Sequence, residues 1–247
     1  MNFFSLFKRN LLYKFKKKIS IDKNNFEKKT LDELFYFYGS DKANYFRISN
    51  DRGHGFSLFY EKQLNEFKNK KINILEIGSF AGASAAAFAK FFPNSKIFCF
   101  DINISNFKYS SKQINVYGLD INNKEKVKKI LNKIFDQNNF EEFDLIIDDG
   151  SHLLSDIIFG FDTFFELVKS GGVYVIEDYK FPNYFQKHKD INEILVDELL
   201  KKISNQVYFS SKLLTKEKQM KIFNSIKSID TFKGNLAESD ICFIKKK

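Results

Sequence analysis

The chain has 247 residues, 43% of them hydrophobic and 29% charged, enough to bury the core of one large domain or two small ones. Its net charge of +9 is concentrated in residues 1–29, where nine Lys/Arg meet two Asp/Glu, so the rest of the chain is close to neutral. Only three arginines occur (Arg9, Arg47, Arg52), and Arg is the side chain best suited to reading phosphate and guanine, so nucleic acid is not an expected partner.

Residues 1–29 form a basic, Phe-rich arm. Phe4, Phe7, Leu11 and Phe15 share one face at helical spacing, with Arg9, Lys16 and Lys17 roughly opposite. Such a helix suits an anionic membrane, a partner or a second subunit, and it equally suits a solvated helix packed on its own domain. The opening "MNFFSLFKRN" lacks the features of a signal peptide, and no apolar run approaches the ~20 residues of a membrane span. A cytoplasmic protein is expected, touching at most the inner face of the membrane. Cys99 and Cys242 lie inside apolar runs without metal spacing and read as reduced core residues.

From about residue 30 to the end, strands and helices alternate as in one continuous domain. "INILEIG" (72–78) is a buried strand, followed by a helix rich in Ala and Phe through Phe92. "KIFCFDI" (96–102) and "INVYGLD" (114–120) are the next strands, and a helix follows over "NKEKVKKILNKIF". "FDLIIDD" (143–149) leads into an apolar helix through Val168, and "GGVYVIEDY" (171–179) is the fifth strand. Polar helices near 190–203 and 214–226 precede a closing hairpin of "KSIDTF" (227–232) and "DICFIKK" (240–246). Strands separated by single helices imply right-handed βαβ units and an α/β fold whose mostly parallel sheet is covered on both faces.

Chemistry-bearing residues collect at the strand ends. The first strand runs into Glu76, Gly78, Ser79, Gly82 and Ser84, where glycines let backbone approach a ligand and leave helix N–H groups free. An acidic residue two before the first glycine resembles the loop of class I S-adenosylmethionine methyltransferases, whose carboxylate can hold the methionine ammonium. Asp101 ends the second strand, placed to accept ribose hydroxyls, and Asp120 ends the third, placed to reach an adenine amino group. Each aspartate could instead be a helix cap. Asp148 and Asp149 end the fourth strand, His152 follows, and Glu177 and Asp178 end the fifth. If those two strands are neighbours, Asp149, Glu177 and Asp178 converge, and clustered carboxylates call for a cation. All-oxygen ligation suits Mg²⁺ or Mn²⁺, with His152 beside it as a general base. The alternatives are an Asp-Gly turn, a solvated strand end and a histidine near a helix cap.

Taken together, "LEIGSFAGAS", "DDGSH" and "VIEDY" resemble the metal-dependent sugar O-methyltransferases of macrolide tailoring, the macrocin and mycinamicin type. "YGSDK" (38–42) and "HGFSLFYE" (54–61) are similar to that family's N-terminal signature, and cephalosporin hydroxylase-like proteins share much of the pattern. The resemblance covers about residues 34–246 and leaves the arm outside. It implies a Rossmann-like class I methyltransferase fold with a seven-stranded sheet and a C-terminal antiparallel hairpin. It further implies Mg²⁺ on Asp149, Glu177 and Asp178, His152 as the base, and S-adenosylmethionine held around Gly78 with Asp101 on the ribose. Asp148, Ser40 and Lys42 are grouped with the cofactor, and His54, Tyr60 and Tyr179 with the acceptor. The expected acceptor is a hydroxyl of a sugar or nucleotide sugar. Ser40 stands where Thr is usual and Phe56 where Tyr is usual. "GLDINN" lacks the acidic start of the family pattern, and "KFPNYFQKHKD" departs from the usual continuation after "EDY". That last segment is expected to shape acceptor choice. A hydroxylase on the same fold is the competing enzyme, although iron oxygenases want two histidines and this strand-end group offers one. A non-catalytic cofactor-binding module is the third reading.

Overall fold

The computed structural model describes residues 3–24, 26 and 29–247. The chain packs as two compact units, Met1–Glu141 and Glu142–Lys247.

The first unit opens with helix α1 (Phe3–Phe15) and a two-residue strand, β1 (Ile19–Ser20). Helix α2 (Leu31–Tyr38) starts at a reciprocal cap in which Thr30 and Glu33 satisfy each other's free amides, and stops at Gly39 in the left-handed region, φ +77°. A short ladder, β2 (Tyr45–Phe46) with β3 (Asp51–Arg52), precedes α3 (Ser57–Leu64). Then come β4 (Ile72–Ile77), α4 (Ala83–Phe91), β5 (Ser95–Asp101), β6 (Tyr109–Ser110), β7 (Ile114–Gly118) and α5 (Lys124–Asn138). Strands β4, β5 and β7 pair in parallel, and β1 pairs in parallel with β6. Helix α4 packs closely because Ala85, Ala86, Ala87 and Ala89 present no bulk, while Phe88 meets the rings of Phe35 and Tyr60 edge-on at 5.3 and 5.2 Å. Each such fully buried ring contributes about 1.5–3 kcal/mol.

Helix α1 lies against this unit by a face other than the one that carries Phe7, Leu11 and Phe15. Leu6 is buried, Asn10 Nδ2 donates to Gly118 O at 3.1 Å, and Lys16 Nζ donates to Ser105 O at 2.7 Å. Arg9 donates to Ile102 O, and Tyr13 meets Phe107 edge-on. The expected helix is present, but Leu6, Asn10 and Tyr13 do the docking, whereas Phe7, Leu11 and Phe15 are exposed.

The second unit contains β8 (Phe143–Asp148), α6 (Leu154–Phe164), β9 (Val168–Glu177), α7 (Phe181–Tyr184), α8 (Val196–Ser204), α9 (Lys216–Ser225), β10 (Ile226–Lys233) and β11 (Asp240–Lys246). Strand β8 pairs in parallel with β9, and β9–β11 and β10–β11 are antiparallel, the latter being the closing hairpin expected from the sequence. Several boundaries differ from expectation, the starts of β9 and α8 among them. Strand β9 begins at Val168, three residues before the expected Gly171, because Val168 already pairs with Phe143 across an irregularity that Gly171 absorbs at φ +75°. Helix α8 begins only at Val196, where Val196, Leu199, Leu200 and Ile203 first establish a buried stripe at helical spacing. The seven-stranded sheet has the order β10-β11-β9-β8-β4-β5-β7.

Candidate active site

In the first unit, the turn after β4 is held open by backbone conformations that favour glycine. Gly78 and Gly82 sit at φ +85° and +76°, and a Cβ on Gly82 would stand 2.4 Å from the Phe107 ring. Gly78 N donates to Phe100 O, and Phe80 N donates to Asp101 Oδ2 at 2.7 Å, so the end of β5 braces the loop. Glu76 is fully buried and accepts from the Ser84 hydroxyl, with Cys99 Sγ 3.9 Å from its other oxygen. Burial, and then the charge of Glu76, keep the Cys99 thiol protonated. Ser79 is buried and donates to Glu76 O. These residues, with Asp101, form one continuous polar turn at the carboxyl ends of two parallel strands.

Asp120 stands further along that edge. Its Oδ1 accepts from Asn122 N at 3.1 Å, whereas the cap of α5 is Asn123, which accepts from Lys126 N. In the upstream signature, Ser40 and Lys42 are buried, Phe56 N donates to Lys42 O, and His54 N donates to Asp41 O at 2.7 Å. Gly53 fits there because a Cβ would fall 2.2 Å from Ala43 O. Tyr60 is fully buried among Phe35 and Phe88, which places it in the core of this unit rather than at an accessible acceptor surface.

In the second unit, Asp148 is the last residue of β8 and Asp149 follows just outside the strand. Asp148 points inward, 5% exposed, and accepts from Tyr174 OH at 3.1 Å. Burial pushes its carboxyl up to about 7, opposed by the Tyr174 hydrogen bond and reinforced by the charge of Asp149. Asp149 is half-buried, with Oδ1 3.8 Å from His152 Nε2. His152 and Asp178 both take left-handed conformations, φ +56° and +51°. The result is that ligand atoms of Asp149, His152 and Asp178 lie within 4.8 Å of one another, the one such acidic/His/Cys group among the described residues. Two carboxylates and an imidazole at this spacing can share one divalent cation, and the carboxylates suit Mg²⁺ or Mn²⁺. Glu177 is buried within the ladder to β11 and is not part of the cluster. Tyr179 is also buried; it lines a cavity of about 230 Å³ with Lys180, Asp197, Leu200 and Thr231, a lining that includes none of the three clustered residues.

An aromatic wall beside the cluster comes from the segment after "EDY" that was expected to shape acceptor choice, although its individual residues were not singled out. Phe181 lies 4.8 Å from the His152 ring and 5.4 Å from His188, and Phe185 meets both Phe181 and His188. Asp190 fastens this segment to the first turn of α6 by accepting from Ser155 N at 3.0 Å and from the Ser155 hydroxyl. The Phe181/Phe185/His188 spacing was the available signal.

The family model described as O-methyltransferase matches residues 17–222. The chain belongs to that O-methyltransferase family. It is 30% identical over 132 residues to mycinamicin VI 2''-O-methyltransferase of Micromonospora griseorubida, a match covering 51% of this chain and 31% of that protein. It is 29% identical over 144 residues to demethylmacrocin O-methyltransferase of Streptomyces fradiae, covering 51% and 32%. The matched stretch is thus about a third of the length of these relatives. In structure it is similar to MycE methyltransferase of the mycinamycin pathway, solved with Mg, SAH and mycinamycin VI, at TM-score 0.63 and 22% identity over 89% of this chain and 55% of that one. The class I methyltransferase fold is therefore shared with the family. Among the described residues, no helix is long and apolar enough to cross a membrane.

Proposed function

We propose that this chain transfers a methyl group from S-adenosylmethionine to a hydroxyl of a sugar or nucleotide-linked sugar, with Mg²⁺ or Mn²⁺. The cluster of Asp149, His152 and Asp178 at the ends of parallel strands β8 and β9 carries the reading. The mycinamicin VI and demethylmacrocin relatives support methyl transfer to oxygen, since both are named as O-methyltransferases. When bound, S-adenosylmethionine supplies an electrophilic methyl group and the cation supplies charge to stabilise a developing alkoxide.

This chain's residues supply the rest. Gly78 and Gly82 admit the cofactor to the backbone, Asp101 accepts from ribose hydroxyls, and buried Glu76 offers a carboxylate to the methionine ammonium. Asp149 and Asp178 hold the cation. His152, packed on Phe181 and so fixed in direction, takes the proton from the acceptor hydroxyl. Alignment of acceptor and methyl group does most of the remaining work. Residues 1–29 act outside this chemistry, as a contact element for another surface.

The test is a methylation assay over nucleotide sugars and glycosides, read by mass spectrometry. A product one methyl heavier, formed with Mg²⁺, lost in EDTA and restored by Mg²⁺, is expected. Undiminished turnover in chelator would remove the metal from the proposal.

A further inference from the structure

We propose that the outward face of α1 docks the protein onto an anionic lipid surface. This rests on reading residues 1–29 as a contact element and is independent of methyl transfer.

The helix cannot roll over to hide its apolar side chains. Leu6, Asn10 and Tyr13 fix one face to the first unit, through the Asn10–Gly118 hydrogen bond and the Tyr13–Phe107 contact. Gly118 permits this approach, since a Cβ there would fall 1.7 Å from Asn10 Oδ1. At ~100° per residue the opposite face carries Phe7, Leu11 and Phe15, with Leu12 beside them. They remain 59%, 44%, 83% and 53% exposed, respectively. Lys14 and Lys8 flank the stripe on its two sides, both exposed, and Lys17 follows. The helix holds no acidic residue.

A basic helix with a bulky apolar stripe matches the interfacial plane of a membrane, where rings enter the acyl boundary and lysines meet headgroup phosphates. Its 13 residues, about 20 Å long, suit lying in that plane and are too few to cross it. A second copy of the chain fits less well. Pairing this stripe with itself would bring two lysine-rich borders together with no acid to meet them.

The test uses the full chain with phosphatidylcholine vesicles prepared with and without phosphatidylglycerol. Co-sedimentation at least about tenfold stronger on the anionic vesicles is expected, weakening as salt is added. Phe7→Glu/Phe15→Glu and Lys8→Glu/Lys14→Glu should each abolish it with an unchanged melting temperature, because the altered side chains are exposed. Equal binding to both vesicles, no binding to either, or binding that survives both double variants would overturn the proposal. So would a dimer, seen by sedimentation equilibrium, that the Phe variants convert to monomer, since that assigns the face to a second copy. Thermal stabilisation by S-adenosylhomocysteine, read on the same samples, reports on the methyl-donor reading separately.

Discussion

Asp148 and Asp149 are neighbours in sequence, yet the one closes β8 and the other follows it, and their environments differ. Asp149 reaches the cluster with His152 and Asp178, whereas Asp148 is sealed inside against Tyr174. His152→Ala should reduce turnover about 10²–10⁴-fold, the usual worth of a general base, while S-adenosylhomocysteine affinity stays the same. Unchanged kcat would remove His152 from the chemistry. Asp148 predicts a pH effect instead. Its carboxyl titrates at about 7 in the fold and near 3.9 in an unfolded chain, so between those values the native state holds the extra proton. Its contribution to stability is therefore complete below about pH 4 and is lost as pH rises towards 7, with a slope of at most about 1.4 kcal/mol for each step of one in pH. Asp148→Asn, melted in chelator, should flatten that part of the stability curve. Parallel curves for parent and variant would contradict the assignment.

At the scale of elements, the site depends on turns that a side chain would fill. Gly82→Ala combines a left-handed backbone with a Cβ placed against the Phe107 ring, and should cost about 1–3 kcal/mol of stability. Adding Phe107→Leu should return part of that loss but not the backbone part, and a double-mutant cycle measures the difference. The segment from Phe181 to Asp190 makes a separate case. Asp190→Ala should lower kcat/KM through a looser aromatic wall while shifting the melting temperature by only a few degrees, because Asp190 is exposed. Equal losses of activity and stability would reduce Asp190 to a structural role. Strands such as Ile72–Ile77 and Phe143–Asp148 were legible because continuous apolar runs ending in Gly or Asp have few other uses. The adjacency of β8 and β9, from which a meeting of Asp149 with Asp178 follows, was legible as a condition. Less legible was anything set by tertiary contact. The burial of Tyr60, the separation of Glu177 from the cluster and the early start of β9 depend on partners distant in sequence. The docked face of α1 escaped detection for a related reason. Asn10 and Tyr13 are ordinary helix residues until Gly118 and Phe107 are beside them.

For the whole molecule, the two kinds of binding determinant fall in different units. Glu76, Gly78, Gly82 and Asp101 belong to Met1–Glu141, and Asp149, His152 and Asp178 belong to Glu142–Lys247. If the first set binds the methyl donor and the two carboxylates of the second bind the cation, each ligand should stabilise the fold through its own residues. A ligand present at about 100 times its Kd adds roughly 2.7 kcal/mol, enough to move a melting temperature by several degrees. Asp101→Ala should therefore abolish the shift produced by S-adenosylhomocysteine and leave that produced by Mg²⁺. Asp178→Asn should do the reverse, and Glu177→Gln should weaken the Mg²⁺ shift less than Asp178→Asn does, because Glu177 lies outside the cluster. If Asp101→Ala and Asp178→Asn each erased both shifts, the division of labour would be wrong, and one change would be acting through the stability of the whole chain.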